Sequence, residues 1–154
     1  MQGVGRLAVL FRDPRRHLAP LDAIAPDFVA VAERFVDVPY LWGGKTSLGI
    51  DCSGLVQVAL TAAGIACPRD SDMQEKALGA AVSAGPGELR RGDLVFWKGH
   101  VAIARDRATL VHANAFHMAV AVEPAAEAIA RIAAGGSRVS AIKRLPGRPA
   151  SPPA

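Results

Sequence analysis

Cysteine is scarce: there are two in 154 residues, which excludes a small fold stapled by several disulfides. No apolar run approaches the ~18 residues of a membrane-spanning helix, so a transmembrane segment is excluded. Aromatic residues reach only 5% against a hydrophobic content of 51%, and much of that content is alanine. No long basic tract occurs either. The basic residues come as scattered pairs, Arg15–Arg16, Arg90–Arg91 and Lys143–Arg144. They lack the interleaved aromatics of a groove that tracks a strand, so nucleic acid is not an expected partner. The net charge of +4 reads as a solvated surface with at most a mild attraction to anionic polymers. The apolar content excludes disorder for most of the chain. What remains is one globular domain, which at this length buries roughly two-thirds of its unfolded surface without help from a metal or disulfide.

The apolar run near the N-terminus, Leu7 to Phe11, is shorter than the roughly 7–15 residues of a secretory signal. A cytoplasmic location is therefore expected, with Cys52 and Cys67 held as thiols. Residues 1–25 carry proline and arginine without a period and read as an N-terminal extension. A first helix is expected from Pro26 to Val36, with Phe28, Val31, Ala32 and Phe35 on one face. After a glycine-bearing loop, Pro39 to Gly44, a second helix runs from Asp51 as N-cap to Gly64 as stop. It is apolar nearly all round and so should be central. Ser71 and Gln74 have the spacing of a capping box.

Short β-runs then follow at Asp93–Trp97, His100–Ala104, Thr109–Ala113 and Met118–Val122. A helix at about Pro124–Ala134 and a last strand at Val139–Arg144 complete the domain. Helices first and antiparallel strands later make an α+β pattern, with N-terminal helices packed on an antiparallel sheet. The Pro-rich stretch 146–154 is expected to be a disordered tail.

Cys52 falls in the first turn of the second helix, where exposed N–H groups and the helix dipole favour a thiolate and should lower its pKa. Gly54 beside it permits a close approach. His100 and His112 are 112 − 100 = 12 positions apart. A hairpin centred on Asp106 would set them opposite each other on one face, roughly 5 Å apart at Cβ, provided the loop is odd in length. Ala102 and Ala104 leave room on that face, while Val101 and Ile103 point to a core. A helix-start thiol with two facing imidazoles is what a thiol hydrolase needs: nucleophile, proton carrier and a group that orients the carrier. Asp93 reads as a turn residue, His17 and His117 as surface, and Cys67 as structural.

Four motifs, in order over about residues 26–145, resemble the catalytic domain of the NlpC/p60 cysteine peptidases. They are Pro-Tyr-Leu-Trp-Gly-Gly at 39–44, Asp-Cys-Ser-Gly-Leu-Val at 51–56, Arg-Asp-Ser-Asp-Met-Gln at 69–74, and Gly-Asp-Leu-Val-Phe at 92–96 followed by His100-Val101. The resemblance implies a papain-like fold for 26–145 and hydrolysis of the bond between γ-D-Glu and a diamino acid such as diaminopimelate in murein peptides. It implies Cys52 as nucleophile, His100 as general base and acid, and His112 as the orienting residue. Tyr40 would help at the oxyanion or position substrate, with the Cys52 N–H as another donor. Asp51, Ser53 and Asp70 would hold the free amine of an N-terminal L-Ala. No cofactor or metal is implied. The family's usual glycine after His-Val is Ala102 here. Its recycling branch carries SH3-like domains ahead of the peptidase, and the stretch Arg16 to Asp22 has the look of the end of such a module.

Three other readings compete. One is a different acyl chemistry on the same fold, such as an amidase or acyltransferase. Another is a non-catalytic wall-binding module. The third, zinc held by Cys52, Cys67, His100 and His112, is disfavoured by a cysteine spacing that matches no common finger.

Overall fold

The computed structural model describes residue 20 and residues 22–147. Most of the expected N-terminal extension, including His17, and residues 148–154 of the expected tail lie outside them. Helix α1 is Phe28–Glu33, capped by the Asp27 carboxylate on the Val29 N–H at 2.9 Å. Pro26 therefore lies before the cap, not inside the first turn. Val29 and Ala32 are the buried residues of α1, and the helix packs on α2, Cys52–Ala62. As the apolar composition demands, α2 is buried on most sides, from Cys52 to Leu60. Asp51 caps it, and Gly64, at φ +73°, ends it in the left-handed conformation that glycine tolerates best.

Helix α3 is Ser71–Ala77. Its N-cap is Asp70, and the expected Ser71–Gln74 box is absent. Gln74 turns inward instead, fully buried, with Nε2 donating to the carbonyls of Ser53 and Pro68 at 2.9 Å each. A long amide that can tie the first turn of α2 to the loop at Pro68 outcompetes a local cap.

Two short strands, β1 (Lys45–Thr46) and β2 (Gly49–Ile50), form a hairpin before α2. The main sheet holds six strands. They are β3 (Ala80–Ala81), β4 (Leu94–Trp97), β5 (His100–Ala104), β6 (Thr109–Asn114), β7 (Ala119–Pro124) and β8 (Val139–Arg144), in the order β3-β8-β4-β5-β6-β7 and antiparallel throughout. Between β7 and β8 the chain crosses one face as α4, Ala125–Ala134. No helix of the described residues is long and apolar enough to cross a membrane.

Alternation along the strands sorts the core into two layers. Leu94, Phe96, Val101, Ile103, Val111, Ala113 and Val120 pack with α1 and α2. Val95, Trp97, Ala102, Ala104, Leu110 and Ile142 pack with α4. Ala102, Ala104, Ala125 and Ala128 are each buried to 1% exposure or less. The abundance of alanine thus has a use, because small side chains let α4 lie close on the sheet. Asp93 is not a plain turn residue. It is fully buried, accepts the Arg90 N–H, and is gripped at 2.7 Å through both oxygens by Arg144, so it ties the start of β4 to the end of β8.

The β5–β6 register differs from the expected one by two residues. Ala104 pairs with Leu110 and Ile103 with Val111, so paired numbers sum to 214 and the hairpin centres on Arg107. The Asp106 carboxylate accepts from the N–H groups of Ala108 and Thr109 and from the Thr109 hydroxyl, which stabilises the shifted loop. Because the shift is even, parity survives. Continued outward, the register sets Ala102 opposite His112 and leaves both imidazoles on one face, offset diagonally.

Candidate active site

Three chain segments meet at the start of α2. The loop before the β1–β2 hairpin is held to the sheet by a bridge from Pro39 to Ala119 and a bond from the Tyr40 N–H to Met118 O. A second bridge, Tyr40 to Ile50, ties it to β2. The Asp51 carboxylate gathers the parts. It accepts from the Gly54 N–H at 2.7 Å, the Gly43 N–H at 2.8 Å and both terminal nitrogens of Arg69 at 2.9 Å each. Arg69 also reaches Ser53 Oγ at 2.8 Å and Gly44 O at 3.3 Å. Gly54 is required here, since a Cβ on it would come within 2.5 Å of Gly44 O and 2.9 Å of Asp51 Oδ1. Burial opposes the Asp51 charge, but Arg69 and the two N–H groups outweigh it and hold the carboxyl below its usual range.

Cys52 is 8% exposed. Its sulfur lies among backbone N–H donors, that of Val101 foremost and then those of Ser53 and Cys52 itself. The sulfur therefore sits beside the head of β5, next in sequence to His100. The expected lowering of the thiol pKa does not occur. Burial pushes it up, the Val101 N–H only partly offsets this, and the Asp51 carboxylate raises it further. Tyr40 is half-buried beside this group, its phenol raised by burial and by the neighbouring Cys52 and Asp51. Cys67 is part-buried and free, hydrogen-bonded to Pro68 O at 3.3 Å, and burial takes its thiol up to about 11.

The two imidazoles meet. His100 Nε2 lies 2.8 Å from His112 Nδ1. His112 is 1% exposed, and its Nε2 lies 2.7 Å from Glu123 Oε1. The ring of Trp97 packs beside His100 at a centroid distance of 5.5 Å. Burial, then the neighbouring His112 and Arg131, push His100 down to about 3, so it is neutral over the working range.

A cleft of about 400 Å³ opens over Cys52, lined by Tyr40, Trp42, Gly43, Asp51, Ser53, Arg69, Asp70, Ser71 and Gly99. It brings together Cys52, Tyr40, Asp51, Ser53 and Asp70, while the His100–His112 pair belongs to the adjoining end of the sheet. The Asp51 oxygens are already engaged and Ser53 is buried, so Asp70 is the exposed acid of the cleft. A second cavity, of about 440 Å³ between α1 and the start of β4, contains none of these groups. Glu123 escaped the sequence reading, because the expected strand stopped at Val122 and the expected helix began at Pro124. The signal was present: a lone carboxylate in an Ala-Val-Ala-Val-Glu run that pairs with the strand of His112. Arg69 lies inside the Arg-Asp-Ser-Asp-Met-Gln motif, which offers no local signal for its grip on Asp51, and Gln74, expected in a capping box, ties Ser53 and Pro68 instead.

Comparison with known proteins decides the family. Residues 37–133, well over half of the chain, match the profile of the NlpC/P60 family. The chain belongs to the NlpC/P60 family.

It is 36% identical over 92 residues to dipeptidyl-peptidase 6 of Lysinibacillus sphaericus, covering 60% of this chain and 33% of that protein. It is 31% identical over 108 residues to a γ-D-glutamyl-L-lysine dipeptidyl-peptidase of Bacillus cereus, covering 65% and 32%. The chain thus spans about a third of the length of these curated relatives. Among solved structures, an NlpC/P60 family protein of Bacillus cereus superposes with a TM-score of 0.65 at 29% identity, over 78% of this chain and 40% of that one. The NlpC/p60 domain of the peptidoglycan hydrolase SagA gives a TM-score of 0.62 at 30% identity, over 77% of this chain and 96% of that one. The mixed helix-and-sheet architecture is therefore the papain-like NlpC/P60 fold.

Proposed function

We propose that this domain is a cysteine peptidase that hydrolyses the γ-D-glutamyl–diamino acid bond of murein peptides, with Cys52 as nucleophile, His100 as proton carrier and His112 as its support. One observation carries the reading. A buried thiol at the start of α2 lies beside the backbone of β5, and that strand begins with an imidazole hydrogen-bonded to a second imidazole. The relatives named for γ-D-glutamyl-L-lysine cleavage support the substrate class.

The resting pair is neutral, with a protonated thiol and an uncharged His100. The thiol proton passes to His100 as the sulfur attacks the γ-glutamyl carbonyl, so the thiolate is made when it is needed. The S–H bond breaks, an N–H bond forms on His100, and the carbonyl oxygen becomes an oxyanion. The Cys52 N–H and the Tyr40 hydroxyl are the donors assigned to that oxygen. His100 then returns the proton to the departing amine of the diamino acid. Water, deprotonated by the same ring, releases the acyl group and regenerates the thiol.

Asp70 is the group assigned to the free amine of the substrate, by charge complementarity. Asp51 and Ser53 shape that end of the cleft through Arg69. An SH3-like domain supplied outside residues 26–145 belongs to this reading, as the wall that would restrict substrates to short peptides with a free amino end. Incubation with L-Ala-γ-D-Glu-diaminopimelate tests it. The parent protein releases the diamino acid, and Cys52→Ala releases none while keeping its far-ultraviolet circular dichroism. Turnover by the alanine variant would remove Cys52 from the mechanism, and mass analysis of the products identifies the bond cut.

A further inference from the structure

Behind the two histidines lies a polar cluster that the proposed reaction leaves unused. Glu123 is 6% exposed and stands on β7 on the same face as His112. Arg131, in α4, grips both of its oxygens at 2.6 Å each. Burial works against the Glu123 charge, but Arg131 and His112 override it and hold the carboxyl at about 2. The guanidinium stays protonated under all working conditions.

These contacts fix hydrogen positions by simple accounting. A carboxylate only accepts, so the nitrogen facing it, His112 Nε2, must carry a hydrogen. In the neutral ring Nδ1 is then a bare lone pair. His100 Nε2, 2.8 Å away, must donate to that lone pair. The bare nitrogen of neutral His100 is consequently Nδ1, the only one of its two that can take a proton. A single negative charge on β7 thus dictates the proton pattern of two rings.

We infer that Glu123, locked by Arg131, is a positioning residue for the peptidase reaction: it imposes the Nε2–H tautomer on His112 and, through it, on His100. The inference rests on the proposed function for its kinetic part only. When His100 Nδ1 receives the thiol proton, the new positive charge is shared with His112 across their hydrogen bond and balanced by the Glu123 carboxylate. The proton stays on His100 Nδ1 until the leaving amine collects it.

Glu123→Leu is the test, with Glu123→Gln beside it. His112 Nε2 and Arg131 Nη2 share one oxygen, Oε1. A glutamine carbonyl in that place still accepts from both, so Glu123→Gln keeps the tautomers and is expected to retain kcat within about threefold. Leucine leaves no acceptor, and Arg131, which has only donors, remains on that side of His112. His112 then switches to Nδ1–H and His100 Nε2 must accept, which puts the hydrogen of His100 on Nδ1 and abolishes the base. The expected result for Glu123→Leu is a fall in kcat of about 100-fold with KM changed by less than about twofold. Undiminished kcat in Glu123→Leu, or an equal fall in Glu123→Gln, would overturn the inference.

Nitrogen-15 NMR of histidine-labelled protein supplies a readout that needs no turnover. In the Cys52→Ala protein, both rings are expected with protonated Nε2 and bare Nδ1. In Glu123→Leu the pattern inverts on both, and in Glu123→Gln it is kept. An Nδ1–H tautomer on His112 of the otherwise unaltered chain, or an unchanged pattern in Glu123→Leu, refutes the relay. A protein that shows the relay but cleaves no murein peptide would instead reject the substrate reading.

Discussion

At the scale of single residues, the burial of Cys52 governs the chemistry. A helix start alone should favour a thiolate, and the Val101 N–H acts in the same direction. At 8% exposure, however, loss of hydration outweighs both. Iodoacetamide labelling, followed by peptide mass so that Cys67 is scored separately, should therefore show Cys52 reactivity still climbing as pH passes 9. A plateau reached by about pH 6 would mean a preformed thiolate of the kind found in strongly activated sites, and the neutral resting pair would be wrong. Residue types singled out Cys52 and both imidazoles as candidates, because each sits in a local setting that can be read: a capped helix start, and two alternating strands of suitable spacing. Glu123 and Arg69 were not readable in that way. Their tasks depend on partners that no local pattern connects: Arg131 and His112, eight and eleven positions from Glu123, and Asp51, eighteen positions from Arg69.

At the scale of elements, what could be read followed the strength of the periodic signal. The boundaries His100–Ala104 and Val139–Arg144 coincide with β5 and β8, where alternation is clean. The strands β1, β2 and β3 have two residues each, too few to display a period. The hairpin register was displaced because the Asp106 side chain, not a standard tight turn, organises the loop. Helix α2 ended where glycine said it would. A Cβ at Gly64 would have to adopt φ +73° and would meet Ile24 Cδ1 at 3.3 Å. Gly64→Ala should cost about 1 kcal/mol, visible as a melting temperature lower by about 2–4 °C. An unchanged melting temperature would show that this end of α2 relaxes freely.

At the scale of the whole molecule, the buried relay makes the fold sensitive to acid. His100 is held from 6.5 down to about 3, and Glu123 from 4.5 down to about 2. Between each pair of values the unfolded chain binds more protons than the folded one, so stability rises with pH across that window. It is complete above pH 6.5 and drains away as pH falls through the histidine window and then the carboxylate window. His100 alone should remove about 2 kcal/mol between pH 6.5 and 4.5. Urea titrations at the two pH values check this, and a flat profile would contradict the burial of the ring.

The two-layered core has one more consequence. The sulfur packs with the layer of α1 and α2, whereas His112 and Glu123 answer to α4 on the other side of the sheet. The sheet divides two compartments that meet at the head of β5, one that holds the Cys52 sulfur and, in the proposed reaction, sets how readily it attacks, and one that sets how the hydrogen of the imidazoles is handled. Repacking beneath α4 can then retune the second property without touching the first, so drift in sequence on one side need not be answered by drift on the other.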